Sequence, residues 1–511
     1  MIRRRTVLRA ADLMEPLRAV VGATQRLVDV ADRLDRHATP VAPVVSCGRA
    51  MGLVSRARVA DAVRLGLGEL TVGEITCGGA PAVGPADSLE TIAARCRGIA
   101  PGLVVATRGG IIRGVISRSR LEEALHRGRR RVTVPAHARA RQRLRSHLPA
   151  HTILILGRVG RLAKTLRSPV YLVGGVVRDA LLGHESNDLD VVVEGDGLAF
   201  ARRLARACGA RLKRHAMFGT ASVEIERGRH CDVATARRET YARPGALPDV
   251  APASMLEDLF RRDVTINSIA IRLDGASLGQ VRDDLGGLRD LSGRRLRVHH
   301  ILSMVEDPTR AFRVARFSAR LGFDLTEETR RSIKLAHRSA AFEGLTGERL
   351  YREFSYVGEE ADPTLALGAM ARLDLLRVLE PGLRFDARRR GQFQRLVNGL
   401  RRGPLRNLRE LSPPGFLFLV LLSEGSAPSR RIGLSRRLRL QGRYSERLVG
   451  FSRPLTRLIE GLARGPKPSR MARLCESVPE DVLAIAWSVA EPAVRHRIDR
   501  YLLRLRSVRA G

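Results

Sequence analysis

Residues 170–193 read VYLVGGVVRDALLGHESNDLDVVV, and this run leaves few folds open. Val170 to Val173 have the length and composition of a short buried strand. Gly174 and Gly175 follow, and a helical pattern then runs from Val176 to Leu182. Paired glycines between a strand and a helix let backbone N–H groups approach a phosphate, and the helix N-terminus adds a positive dipole. The same pair also serves as an ordinary turn. Asp188-Leu189-Asp190 then leads into Val191, Val192 and Val193. On a strand, residues i and i+2 face the same way, so Asp188 and Asp190 would stand side by side with Leu189 turned to the core. Adjacent anions repel unless a cation lies between them. Hard carboxylate oxygens suit Mg2+, which usually also holds substrate phosphates. A solvated strand end is the alternative, and the three valines that follow speak for a buried strand.

A third carboxylate is expected nearby. Asp232, in HCDVATAR at 230–237, sits on a strand-like segment with Val233 pointing away from it. Three carboxylates around two Mg2+ ions would activate a 3′-hydroxyl and stabilise a leaving pyrophosphate in an in-line displacement. Further along, EDPTRAFRVARF at 306–317 places Asp307, Arg310, Arg313 and Arg316 at three-residue steps, expected along one helix flank. Asp307 offers acceptors and Arg310 donors, a pairing able to imitate a base edge; Arg313 and Arg316 would reach a triphosphate or base. A basic helix face over RNA, or an internal salt-bridge ladder, is the other possibility. Between Asp232 and Arg262, residues 237–254 carry Pro244, Gly245, Pro248 and Pro252 and read as a flexible loop or an inert connection.

Charge narrows the partner. The 511 residues carry 90 basic against 53 acidic side chains, a net +37, and four of the basic ones are lysine. Such an excess calls for a polyanion, usually nucleic acid. An arginine bias of the genome would swap Lys for Arg without creating the imbalance. Aromatic residues are 4% of the chain, so stacking on many unpaired bases is not expected as the main mode of binding; shape and backbone recognition of a folded RNA fits better. The basic run at 429–443 reads as a phosphate grip or a solvated face. The six cysteines form no CxxC pair, which excludes an obvious zinc site or disulfide framework and fits a cytoplasmic protein. No stretch is long and apolar enough to span a membrane.

An internal repeat with an offset of 62 residues occupies the beginning of the chain. Gly48, Gly52, Ser55, Arg56, Arg58 and Ala62 recur as Gly110, Gly114, Ser117, Arg118, Arg120 and Ala124. Each unit reads as an amphipathic helix, two strands (41–45 and 52–54; 103–106 and 114–116) and another helix. Two such units are expected to bury their apolar faces against each other. A basic linker or helix follows, then alternating strands and helices to about residue 298, then a nearly all-helical remainder broken at 411–418 and 463–470.

These motifs together resemble the class II tRNA nucleotidyltransferase and bacterial poly(A) polymerase family. The resemblance runs over 170–353 and includes GGVVRDALLG and NDLDVVV, LEDLFRRDVTINSIA at 256–270 with Val264 in place of the usual Phe, DDLGG at 283–287, EDPTRAFRVARF, and GERLYREF at 347–354. It implies catalysis at Asp188, Asp190 and Asp232 with Mg2+ on Asp188 and Asp190. It further implies nucleotide binding at Gly174, Gly175, Arg178, Arg262, Asn267, Asp307, Arg310, Arg313 and Arg316. The implied substrates are ATP or CTP and the 3′ end of tRNA, giving CCA, terminal-A or poly(A) addition. A non-catalytic RNA-binding regulator is the alternative from another class.

The repeat resembles a tandem pair of cystathionine-β-synthase (CBS) modules. One departure is that Arg58 and Arg120 stand where many such modules place a ribose-binding Asp, so a basic phosphate or RNA patch, or a spacer, is expected rather than nucleotide sensing. A homodimer through the modules is a further expectation. No Asp-His-His motif occurs, so no phosphoesterase domain is expected. The expected architecture is α+β and multidomain. CBS-like modules occupy 1–130 (about 11–70 and 71–128) and a basic linker 131–168. A polymerase-β-like α/β head covers 169–298, a helical neck 299–362, and a helical RNA-binding body and tail 363–511.

Overall fold

The computed structural model describes residues 8–76, 79, 81–96, 102–106, 111–127, 140, 142–144, 146–186, 189–215, 219–226, 229–274 and 279–506. The chain divides into two compact units. One comprises Met1–Asp307 and Asp324–Ala341; the other comprises Pro308–Phe323 and Phe342–Gly511.

The first unit begins with the repeat. Val41–Ser46 and Arg49–Ser55 form an antiparallel pair, joined by parallel Val21–Gly22. Gly102–Ala106 and Ile112–Ser117 form the matching pair, flanked by parallel Ala82–Val83 and antiparallel Glu15–Pro16. The irregularity in register recurs as well: Val44 opposes Gly52 and Val45 opposes Ala50, while Val105 opposes Gly114 and Ala106 opposes Ile112. Val41 and Leu53 of one sheet pack with Val104 and Val115 of the other, which is the mutual burial expected of two half-covered units. The basic stretch after the repeat lies mostly outside the described residues. Beyond it, Ala150–Leu166 forms a helix that buries Ile155, Leu156, Val159 and Ala163.

The head is a seven-stranded sheet in the order Arg211–His215, Thr220–Glu226, Arg229–Thr235, Leu189–Val193, Val170–Val173, Ala270–Arg272, Gln280–Arg282. Neighbours are antiparallel, except that Arg229–Thr235 runs parallel to Leu189–Val193. Val170–Val173 is buried at every residue and Leu189–Val193 at all but Asp190, because helices pack against the sheet. Gly197–Cys208 is one such helix, capped by the Asp196 side chain, burying Phe200, Ala201 and Leu204 and ending at left-handed Gly209. The segment 237–254, read above as a flexible loop, is instead a two-stranded ribbon in which Arg237–Thr240 pairs with Asp249–Pro252. The second strand can tolerate Pro252 because it has only one neighbour.

The second unit is helical. Thr309–Leu321 packs on Pro363–Arg372, and Pro414–Leu422, PGFLFLVLL, is buried along its length from Gly415. Proline at the first turn starts this helix and also Pro428–Arg437, Pro468–Glu476 and Pro492–Arg500, where its missing N–H costs nothing. The break expected at 411–418 is thus a helix start, and that at 463–470 separates Ser452–Ala463 from Pro468–Glu476. No helix of the described residues is long and apolar enough to cross a membrane.

Candidate active site of the head

Asp190 and Asp232 are register partners across the single parallel pair of the sheet. Directly opposed residues project from the same face, so the two carboxylates leave the sheet together. Their strand neighbours show why: Leu189, Val191, Cys231 and Val233 are buried on the other face. Burial, with Asp232 and Asp190 close by, pushes the Cys231 thiol far up, which keeps it protonated. Asp188 lies outside the described residues. Among the described residues no group of three or more His, Cys, Asp or Glu side chains forms a metal cluster.

The glycines meet this face. Val173 pairs with Asp190, which brings Gly174 alongside it. Gly174 has φ +78°, and a Cβ there would lie 2.9 Å from Asp190 Oδ2 and 3.6 Å from an Arg262 terminal nitrogen, Nη1. A side chain at this position would be both strained and in the way. Gly175 opens the helix Gly175–Leu182, whose first N–H groups are therefore next to Asp190.

Arg262 lies two residues past the helix Met255–Phe260, whose capping box pairs Ser254 with Glu257. Asp258, fully buried, accepts from Arg262 (Nη2, 2.9 Å) on one oxygen and from Arg261 (Nη2, 2.7 Å) on the other. Burial opposes the Asp258 charge, but Arg262 and Arg261 hold its carboxyl below the ordinary range. Arg261 also donates to Glu239 of the ribbon, 2.9 Å away.

Arg178 is almost wholly buried. Its Nε and Nη2 each donate at 2.8 Å to Asp179, and its Nη1 donates at 2.8 Å to Asn267 Oδ1. Asn267 in turn donates to Asp263 Oδ1 at 2.9 Å. The chain Asp179–Arg178–Asn267–Asp263 fixes the glycine helix to the Thr265–Asn267 turn. Sequence reasoning had not singled out Asp179, Asp258 or Asp263 as organisers. The available signal was their position inside the arginine-bearing motifs, at Arg178-Asp179 and Arg262-Asp263. Asp283 accepts from the N–H groups of Gly287 and Leu288, 2.6 and 3.1 Å, and burial raises its carboxyl to about 6.

Asp307 follows the short helix Ser303–Glu306 in extended conformation and ends the first segment of the first unit. Arg310, Arg313 and Arg316 belong to the helix Thr309–Leu321 of the second. Within that unit Arg310 is buried and Arg313 exposed. Arg316 pairs with Glu360 at 3.2 Å and Glu353 at 3.5 Å and lies 5.0 Å over the Tyr356 ring. The expected single flank does not form: three-residue steps fall about 60° behind a 3.6-residue turn each time, so three successive arginines face three ways.

Residues 170–297 match the family model described as the poly A polymerase head domain. The chain is 32% identical to an A-adding tRNA nucleotidyltransferase of Geobacter sulfurreducens over 98% of its own length. It spans 59% of that relative. A solved structure of a tRNA-processing enzyme, apo form 2, is 31% identical with a TM-score of 0.58, and the match covers 68% of this chain and 95% of that one. The chain belongs to the class II tRNA nucleotidyltransferase and poly(A) polymerase family. A further member, the Thermotoga maritima CCA-adding enzyme complexed with tRNA, is 28% identical with a TM-score of 0.60, over 71% of this chain and 85% of that one. The paired Asp190 and Asp232, the Gly174 approach and the Asp258-held Arg262 all lie within the head that this family shares.

Proposed function

We propose that this chain extends the 3′ end of tRNA by nucleotide transfer from ATP or CTP, releasing pyrophosphate. The observation that carries the reading is the register pairing of Asp190 with Asp232 beside Gly174. Terminal A addition is the favoured product, because the relative matched over nearly the whole chain bears the A-adding name. Full CCA addition and polyadenylation are the alternatives.

The donor set fits Mg2+, since two carboxylates leave one sheet face and a third, Asp188, is one residue away from Leu189. Asp188, Asp190 and Asp232 would hold it, and when bound it supplies charge neutralisation at the phosphates and a more acidic 3′-hydroxyl. The chain's own residues do the rest. The N–H groups that open the glycine helix receive phosphate oxygens. Arg262, aimed by Asp258, adds a donor there. Arg178 and Asn267 keep the helix and the turn in place. Asp307 accepts from an exocyclic amine of the incoming base, and Arg310 and Arg313 keep the nucleotide-binding role that the motif implies. Arg316 has the weakest case, given its two carboxylate partners. The repeat is proposed to be a CBS pair, supported by the recurrent register, and the protein to act in the cytoplasm.

The test is a panel of tRNAs ending at the discriminator base, at C and at CC, each with one NTP alone. One A added to the CC end supports the reading. Addition of C to the shorter ends redirects it to CCA synthesis, and long A tails redirect it to polyadenylation. No incorporation anywhere leaves an RNA-binding regulator.

A further inference from the structure

Arg58, on the first repeat, does not join Arg120 in an open basic patch. Its Nη1 donates to Glu306 Oε1 at 3.1 Å, and both side chains are mostly buried. The guanidinium lies 5.7 Å over the Phe260 ring, and Phe260 stacks on His300 with centroids 5.4 Å apart and planes 20° from parallel. His300 Nε2 comes within 3.4 Å of the other Glu306 oxygen. Gly245, at the tip of the ribbon, donates its N–H to Val305 O and Glu306 O, both at 3.3 Å. The N-terminal module, the ribbon and His300 therefore meet on the one residue that precedes Asp307. Phe260 in turn is two residues before Arg262. The module is fastened nearby as well: Arg331 donates to Gly73 O and Glu74 O, and Arg118 donates to Asp284 O in the DDLGG segment.

We infer that Arg58 is a positioning residue for nucleotide choice: it pins Glu306 and thereby fixes where Asp307 stands. The N-terminal modules then act on the reaction through the base-reading segment rather than as a spacer or a grip on RNA. A charge-assisted hydrogen bond out of water holds a backbone segment far more firmly than a solvated one does. Losing it frees the short helix Ser303–Glu306 to shift, while Asp190 and Asp232, on the central strands, stay put.

The inference rests on the transfer reading above, so its test has one arm that needs turnover and one that does not. In the full chain, with tRNA ending in CC and ATP, Arg58→Met and Glu306→Gln are each expected to raise the KM for ATP about tenfold. The KM for tRNA should stay within about twofold and kcat should change less than the nucleotide KM. The double variant should lose less than the sum of the two singles, because both remove the Arg58–Glu306 contact. Additive losses, an unmoved nucleotide KM, or a raised tRNA KM alone would overturn the inference. Hydrogen exchange at residues 303–307 should quicken in both single variants, and unchanged exchange there also overturns it. A wild-type chain that incorporates no nucleotide sinks the transfer reading alone, and the exchange measurement still decides the pin.

Discussion

A charged residue in this head does what its partners allow, and the partners are often distant in sequence. Asp190 could be placed on a strand face from the alternation around it, because that depends only on near neighbours. Its pairing with Asp232 depends on which strands lie parallel, and 42 positions of chain separate them, so Asp232 could be named as a nearby carboxylate but its register opposite Asp190 could not. Arg178 looks like a cation waiting for a phosphate, yet its donors go to Asp179 and to Asn267, 89 residues away. Two predictions belong here. Asp190→Ala should abolish transfer with the unfolding midpoint retained; Gly174→Ala should also cut activity sharply, since its Cβ would press on the Asp190 carboxylate at a strained φ. Near-normal turnover in either would remove this face from the chemistry. Asp258→Asn should cost about 3–5 kcal/mol in denaturant unfolding, because two arginines lose a buried counter-charge. The folded-state pKa of Asp258 is lowered, so its contribution is present above the unfolded value near about 4 and is lost as pH falls through the folded value. The wild type should therefore lose stability in acid below about pH 4 more steeply than Asp258→Asn does. Equal acid limbs would show that Asp258 contributes little.

Elements were legible where a period repeated and obscure where it did not. The strands of the repeat followed from apolar runs bounded by glycine, and the observed spans contain those runs, the largest extension being Arg49–Ser55 around 52–54; in the head, Val170–Val173 and the strand through Val191–Val193 followed in the same way. The ribbon at 237–254 was hidden by its prolines, which signal loop composition but also fit an edge strand. The helix Thr309–Leu321 shows a subtler limit. Its buried stripe, Ala311, Phe312, Val314, Ala315 and Phe317, sets its rotation, and the arginines must then point wherever that rotation leaves them. Arg316 falls between Glu353 and Glu360, so Arg316→Ala should cost about 1.5–3 kcal/mol of stability and leave the choice between ATP and CTP as it was. Asp307→Ala should do the reverse, degrading nucleotide choice more than tRNA affinity. Thermal unfolding and single-nucleotide incorporation on both variants separate the two roles; a changed ATP preference in Arg316→Ala would return that arginine to the nucleotide.

The net charge of +37 belongs to the whole molecule, but it is not evenly available to a polyanion. The basic run at 429–443 makes the point, since it looked in sequence like one continuous grip. On the helix Pro428–Arg437, Arg431 is buried and donates to Val449 O at 3.3 Å, while Arg437 donates to Leu345 O and Phe342 O at 2.9 and 2.8 Å. These two guanidiniums satisfy backbone carbonyls that other helices leave over, and they hold the helical unit together. Arg430, Arg436, Arg439 and Arg443 are exposed instead. Only exposed cations can release counterions from an RNA backbone, and the salt dependence of binding counts them. Arg436→Gln with Arg443→Gln should therefore weaken tRNA binding uniformly and flatten the plot of log affinity against log salt by about two units, with stability kept. Arg431→Gln with Arg437→Gln should lower the unfolding midpoint, because the carbonyls lose their donors, and leave the salt slope of the folded protein unchanged. Titrations of tRNA at several salt concentrations, run beside thermal unfolding, tell the two pairs apart. If all four substitutions flatten the slope equally, the division of this run into an inner and an outer set of arginines is wrong.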